Sequence, residues 1–218
     1  TIEKKAFSFT NIKSFSIPAS LVELEDNWCN DITDHSIKIE VDPRNPRYLC
    51  QDGKIIYGKS NLSSDDYDIL VFLTDDFDEL TIPPSIRSIA PCAFEKCEKL
   101  SKINFPQNTI LQTIGSYSFT CTSIMDILIP PSVTQICKRA FDGCYKLVRI
   151  EFSPNSELRI IEKNAFSFIP IERITIPPSV TQICENAFAN CYKLVQIEFG
   201  ENSELRIIEK EAFSDTSI

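Results

Sequence analysis

The residues of this 218-residue chain that could do chemistry are nine cysteines, one histidine and a few adjacent carboxylates. An odd cysteine count leaves at least one thiol free or paired outside the chain. Cys97, Cys144 and Cys191 recur at intervals of 47, and Cys137 and Cys184 share that interval. No C-x-x-C occurs and His35 is the only imidazole, so a zinc site would need four cysteines drawn together by the fold. His35 lies in "NDITDHSIKIE" with no nucleophile signature nearby, and reads as an exposed polar residue opening a strand. Asp65-Asp66 and Asp75-Asp76 lack the alternating spacing of a calcium loop and read as solvated charge. The five glycines make no phosphate-cradling motif. The chain is therefore expected to be no enzyme, and to need neither cofactor nor metal.

Charge narrows the partners. A net charge of -9 argues against nucleic acid, whose phosphates demand clustered Lys and Arg, and against unaided binding to anionic membrane. The apolar share of 43% is that of a folded protein, with no apolar run near twenty residues and no signal-like start.

What positions the cysteines is a repeat. "IPPSVTQICKRAFDGCYKLVRIEF" (129–152) and "IPPSVTQICENAFANCYKLVQIEF" (176–199) differ at five of 24 positions. Ile82, Ile129 and Ile176 open the same phrase 47 residues apart, as Phe105, Phe152 and Phe199 close it. Each 47-residue unit is two half-units of 23 and 24, within the leucine-rich repeat range. Leu147, Ile150, Phe152 and Asn155 fit L-x-x-L-x-L-x-x-N, as do Leu194, Ile197, Phe199 and Asn202. Ser132 and Ser179 take the Asn place in alternate half-units, where a short polar side chain can satisfy turn backbone groups. The pattern predicts one short strand per coil, stacked about 4.8 Å from the next. Ile150, Phe152, Leu158, Ile161, Ala165 and Phe166 should point inward, with a phenylalanine spine through Phe7, Phe94, Phe119, Phe141, Phe166, Phe188 and Phe213. Cysteines of equal phase two coils apart would stand roughly 10 Å apart, beyond the reach of about 7 Å between Cα atoms that a disulfide allows. Buried free thiols are expected.

The combined Ile-Pro, Ala-Phe and Cys spacing of "IPPSVTQICENAFANCYKLVQIEF" resembles the BspA-like leucine-rich repeat family, over most of the chain. Together with the period it implies an α/β-type leucine-rich repeat solenoid, a curved right-handed coil. A parallel β-sheet would line the concave face, with short turns or 3-10 segments elsewhere. The family is similar in being repeat-built surface proteins of bacteria and parasitic protists, implicated in adhesion to host cells and matrix.

Residues 1–218 read as a single solenoid. "TIEKKAFSF" aligns with "IIEKNAFSF" (160–168), and "EAFSDTSI" stops where the next strand should start. The chain therefore reads as a fragment cut mid-repeat at both ends, whose uncapped coils could self-associate. Residues 42–77 form an irregular repeat: Val41 to Ile82 spans 41 residues where 24 are expected. Its Asp52-Gly53 predicts a hairpin of Arg47–Cys50 and Lys54–Tyr57 projecting from the solenoid edge. Trp28-Cys29 stands where Ala-Phe is expected, large and small exchanged.

A partner would meet the strand residues that alternate with the inward ones: Lys102 and Asn104, Asp126 and Leu128, Arg149 and Glu151, Arg173 and Thr175, Gln196 and Glu198. This ribbon is polar and of mixed sign, and Arg149 and Arg173 are its anchors. Asn61-Leu62-Ser63 is a possible glycosylation site. Two readings remain open. One is a protein-binding module displayed on a cell surface or secreted, adhering to a host surface or matrix protein. The other is a cytoplasmic interaction scaffold, which free thiols would suit. Insertion of this chain into a membrane is not expected.

Overall fold

A computed structural model describes residues 1–30, 32, 37–73 and 77–218. His35, Asp75 and Asp76 lie outside the described residues. In chain order the strands are β1 (Ser14–Ile17), β2 (Lys38–Val41), β3 (Tyr48–Gln51), β4 (Ile55–Gly58), β5 (Ile69–Leu73) and β6 (Glu79–Thr81). Next come β7 (Ser88–Ile89), β8 (Lys102–Asn104), β9 (Thr113–Ile114), β10 (Asp126–Ile129), β11 (Gln135–Ile136) and β12 (Arg149–Phe152). The last are β13 (Ile160–Ile161), β14 (Arg173–Ile176), β15 (Gln182–Ile183), β16 (Gln196–Phe199) and β17 (Ile207–Ile208).

A regular coil contributes two strands, where the sequence predicts one. The longer strands join as parallel pairs β1-β2, β6-β8, β10-β12 and β14-β16. The two-residue strands β7, β9, β11, β13, β15 and β17 stack on β5 in a second, continuous parallel ladder. Glutamates clamp that ladder. Gln135 Nε2 and Lys138 N both donate to the Glu162 carboxylate, at 2.5 and 2.8 Å. Gln182 Nε2 and Glu185 N repeat this on Glu209 at 2.6 and 2.8 Å.

The Ala-Phe turns make a third ladder. Arg139 N, Phe141 N and Gly143 N donate to Lys163 O, Ala165 O and Ser167 O of the next coil at 3.0, 2.8 and 3.0 Å. The amides between them close local turns: Ala140 N to Cys137 O, Asp142 N to Arg139 O. Alternation of this kind requires a left-handed residue on either side of Ala-Phe, and each described turn has them. Lys5, Cys92, Tyr117, Arg139, Asn164, Asn186 and Glu211 precede the pair at φ near 60°; Phe9, Lys96, Cys121, Gly143, Phe168, Asn190 and Asp215 follow. Left-handed residues four apart interrupt any helical run. The described residues accordingly contain neither α-helix nor 3-10 helix, and the expected α/β solenoid is an all-β one with parallel strands.

The spine is as expected from Phe94 to Phe213, but Phe7 is not in it: it packs in a separate N-terminal core, its ring 5.0 Å from Phe15 and 6.0 Å from Trp28. Phe94, Phe119, Phe141, Phe166 and Phe188 are fully buried, and Phe213 half-buried. Ile150, Leu158, Ile161, Ala165, Ile174, Ile176, Val180, Ile183 and Ala187 point inward, but Phe152 is only half-buried and Phe199 is 43% exposed. Both end their strands at the coil rim. Trp28 and Cys29 are buried, with the indole 5.7 Å from the Phe72 ring. Ser132 Oγ and Ser179 Oγ donate to Leu111 O and Leu158 O, as their turn position suggests. Asn155 and Asn202 serve by taking the left-handed conformation instead.

The excursion does not project. Strands β3 and β4 form an antiparallel hairpin around Asp52 and Gly53, both left-handed, and β4 pairs with β5. The hairpin thus ends the second ladder and divides two cores. Ile55, Tyr57, Leu70 and Leu73 face the main core; Tyr48, Ile56, Val71 and Phe72 face an N-terminal core around Trp28. With both faces covered, a projecting hairpin is excluded: every residue of β4 is buried. Asn45 anchors it. Its Nδ2 donates to Pro18 O and Leu21 O at 2.7 and 2.8 Å, and its Oδ1 accepts from Arg47 N and Tyr48 N.

Candidate binding face

The strand period of two turns alternate residues outward, so β10, β12 and β14 present one row of side chains. Asp126, Leu128, Arg149, Glu151, Arg173, Thr175, Lys102 and Glu198 are exposed there, and Asn104 and Gln196 half-exposed. Register places Asp126 beside Arg149, Leu128 beside Glu151, Arg173 beside Gln196 and Thr175 beside Glu198. Lys102 adjoins Glu79 at 2.9 Å, and Asn104 Nδ2 donates to the same carboxylate at 2.6 Å. The Lys102 ammonium, then the Asn104 amide, hold the Glu79 carboxyl below its ordinary range. Glu198 accepts from Gln196 Nε2 at 2.7 Å and Thr175 Oγ1 at 3.3 Å. Arg149 reaches Asp126 and Glu151 only at 3.7 Å each. Exposed pairs of this kind contribute little to stability, which leaves their charges free to serve a partner.

The row is not one sheet. Ser153 N and Gly200 N donate to Ile129 O and Ile176 O at 3.0 Å each, closing the pairs β10-β12 and β14-β16. After Ile129 and Ile176 the following residues are Pro130 and Pro177, which have no N–H to offer the preceding coil. At every second junction the strands accordingly do not join one sheet, leaving a seam at β8/β10, where Met125 N still donates to Ser101 O at 3.2 Å, and at β12/β14. A groove of about 590 Å³ follows the β12/β14 seam past Phe152, Pro154, Pro177 and Pro178. Another of about 570 Å³ opens at the strand starts, between Val148, Arg149, Pro170, Arg173 and Lys193. The β8/β10 seam carries its own groove, of about 400 Å³, lined by Lys102, Leu128, Pro106, Pro130 and Pro131. Sequence reasoning missed Val148, Pro170, Glu172 and Lys193, which flank the strands. Proline after every second strand was the signal available. Exposed Met125 accompanies Val148, whose N–H donates to Met125 O.

Asn61 lies in an exposed loop and accepts from Ser63 N at 2.9 Å. All nine cysteines are free thiols, and Cys97, Cys144 and Cys191 are fully buried. Their use is local: Cys144 Sγ donates to Phe119 O at 3.0 Å and Cys191 Sγ to Phe166 O at 3.2 Å. Among the described residues no cluster of His, Cys, Asp and Glu could hold a metal ion. No helix among them is long and apolar enough to cross a membrane.

Stacked coils with registered parallel ladders, an apolar spine and L-x-x-L-x-L strands define a leucine-rich repeat solenoid. The chain belongs to the BspA-type leucine-rich repeat family, whose region is matched in six copies over residues 1–42, 70–194 and 112–218. A leucine-rich repeat protein from Eubacterium ventriosum is similar in fold, at 22% identity and a TM-score of 0.63, covering 94% of this chain and 59% of that one. So is the pneumococcal vaccine antigen PcpA, at 20% identity and a TM-score of 0.56, covering 90% of this chain and 43% of PcpA. At these identities the likeness is one of fold. No curated protein matches the sequence.

Proposed function

We propose that this chain is the protein-binding array of a cell-surface or secreted protein, with no catalytic role, and that it mediates adhesion to host cells or extracellular matrix. The observation that carries the reading is the row of exposed side chains on β10, β12, β14 and β16, in register within each of the pairs β10-β12 and β14-β16. Membership of the BspA-type family supports it, as does the fold shared with a vaccine antigen.

A cytoplasmic scaffold is the second reading, favoured by nine free thiols. Coil geometry weakens that argument, because it separates thiols of equal phase whatever the compartment. The test is binding of the immobilised chain to purified matrix proteins and intact host cells, with surface labelling of the native protein. Saturable binding together with a labelled surface pool supports adhesion. Absence of both supports the scaffold.

A further inference from the structure

Two cations at the β12/β14 seam, Arg173 and Lys193, are not engaged in an ion pair among the described residues, although Asp126 and Glu172 edge the same groove. Arg149 meets its carboxylates only at 3.7 Å. These three cations come from successive coils yet line one groove, with Asp126, Val148, Pro170 and Glu172. Such convergence stands out in a chain of net charge -9. At the far end of the same seam, Phe152, Pro154, Pro177 and Pro178 give an apolar patch within a groove otherwise lined by polar residues such as Ser153, Asn155 and Thr175, and Arg173 borders both grooves.

We infer that the seam binds an extended segment of a protein partner that carries a carboxylate at one end and an apolar side chain or proline at the other. This rests on the protein-binding reading of the face. A guanidinium fork takes a carboxylate bidentately, and a carboxylate between Arg149 and Arg173 relieves the repulsion of two neighbouring like charges. The four-residue strands β12 and β14 are each about 13 Å long, so the two subsites fit side chains about four residues apart in an extended chain. Asp126, Glu151 and Glu172 edge the grooves and would repel a dense polyanion, so a sparsely charged peptide is favoured over a sulfated glycan.

The test uses fluorescein-labelled extended hexapeptides with Glu fixed at one end and Leu or Pro four residues along, in both chain directions. Matched peptides carrying Gln for Glu and a heparin oligosaccharide serve as comparators. The Glu peptides should saturate the chain, with affinity falling as salt rises. The Gln peptides should bind at least about tenfold more weakly. Arg173→Gln and Lys193→Gln should each weaken the Glu peptides several-fold while leaving thermal unfolding unchanged. Arg159→Gln, whose side chain pairs with Glu204 away from the seam, should leave them as they were. Equal binding of Glu and Gln peptides, indifference to both seam variants, or heparin binding without peptide binding each overturns the inference. If every peptide fails while the chain still binds host protein, the inference falls and the adhesion reading stands; if both fail, both fall.

Discussion

The rings of Phe119 and Phe141 lie 5.0 Å apart and within 1° of parallel. The spacing continues from Phe94 to Phe213 at 4.8 to 5.3 Å. Isolated aromatic pairs prefer offset or edge-on contacts, so it is the backbone repeat that aligns these rings. Phe141→Ala should remove contacts on both sides and cost about 3–5 kcal/mol. Urea denaturation would show a lowered midpoint; a midpoint within error of the parent's would mean that the spine does not hold the coils.

Left-handed positions make two opposite predictions. Phe168 adopts φ 60° while 41% exposed, so Phe168→Asn should stabilise by about 1 kcal/mol. Asn186, at φ 58°, already suits its place, and Asn186→Ala should cost about 1 kcal/mol. Thermal unfolding of the two variants should move in opposite directions.

Thiol ionisation should set the alkaline limit. Burial pushes Cys137 and Cys144 up to about 12, and Cys184 and Cys191 up to about 11. Unfolded thiols ionise near their ordinary pKa of about 8.5. The folded state then holds protons that the unfolded state has lost, so this stability is complete below that value and drains as pH climbs to 11–12. Unfolding midpoints measured from pH 7 to 11 should fall progressively, and Cys144→Ala should flatten the fall. Ellman's reagent, which needs the thiolate, should label Cys144 and Cys191 only after denaturation.

Asn45 should be the least replaceable polar side chain of the excursion. Asn45→Ala strands two carbonyls and two amides in a buried site, at a cost of about 3 kcal/mol or more. Hydrogen exchange should accelerate at Arg47 and Tyr48 before it does at Ile183.

Much of this was legible from spacing. Ile150, Ile174 and the Ala-Phe pairs announce a coil period because identical neighbours must bury each apolar edge. The outward row, Arg149 to Glu198, follows from strand alternation alone. Gln135–Ile136 and Ile160–Ile161 were not legible as strands, since two residues carry no alternation. Nor were the left-handed turns: Arg139, Cys92 and Tyr117 adopt a conformation their side chains disfavour, imposed by hydrogen bonds to the next coil. The seam escaped notice because it depends on which of two coils supplies a missing amide. The Pro177 position looks like part of a phrase until its partner strand is known.

The hairpin that ends the second ladder acts as a bulkhead. Damage to Trp28 or Phe72 should loosen first the compartment on their side, which touches the coils beyond the partition through Cys92 and Tyr117, and should reach the far end of the Phe94-to-Phe213 stack last. It also frees the two compartments to evolve at different tempos. Gene duplication can add or delete 47-residue modules beyond the partition, as the near-identical pair at 129–152 and 176–199 suggests, without disturbing what lies behind it.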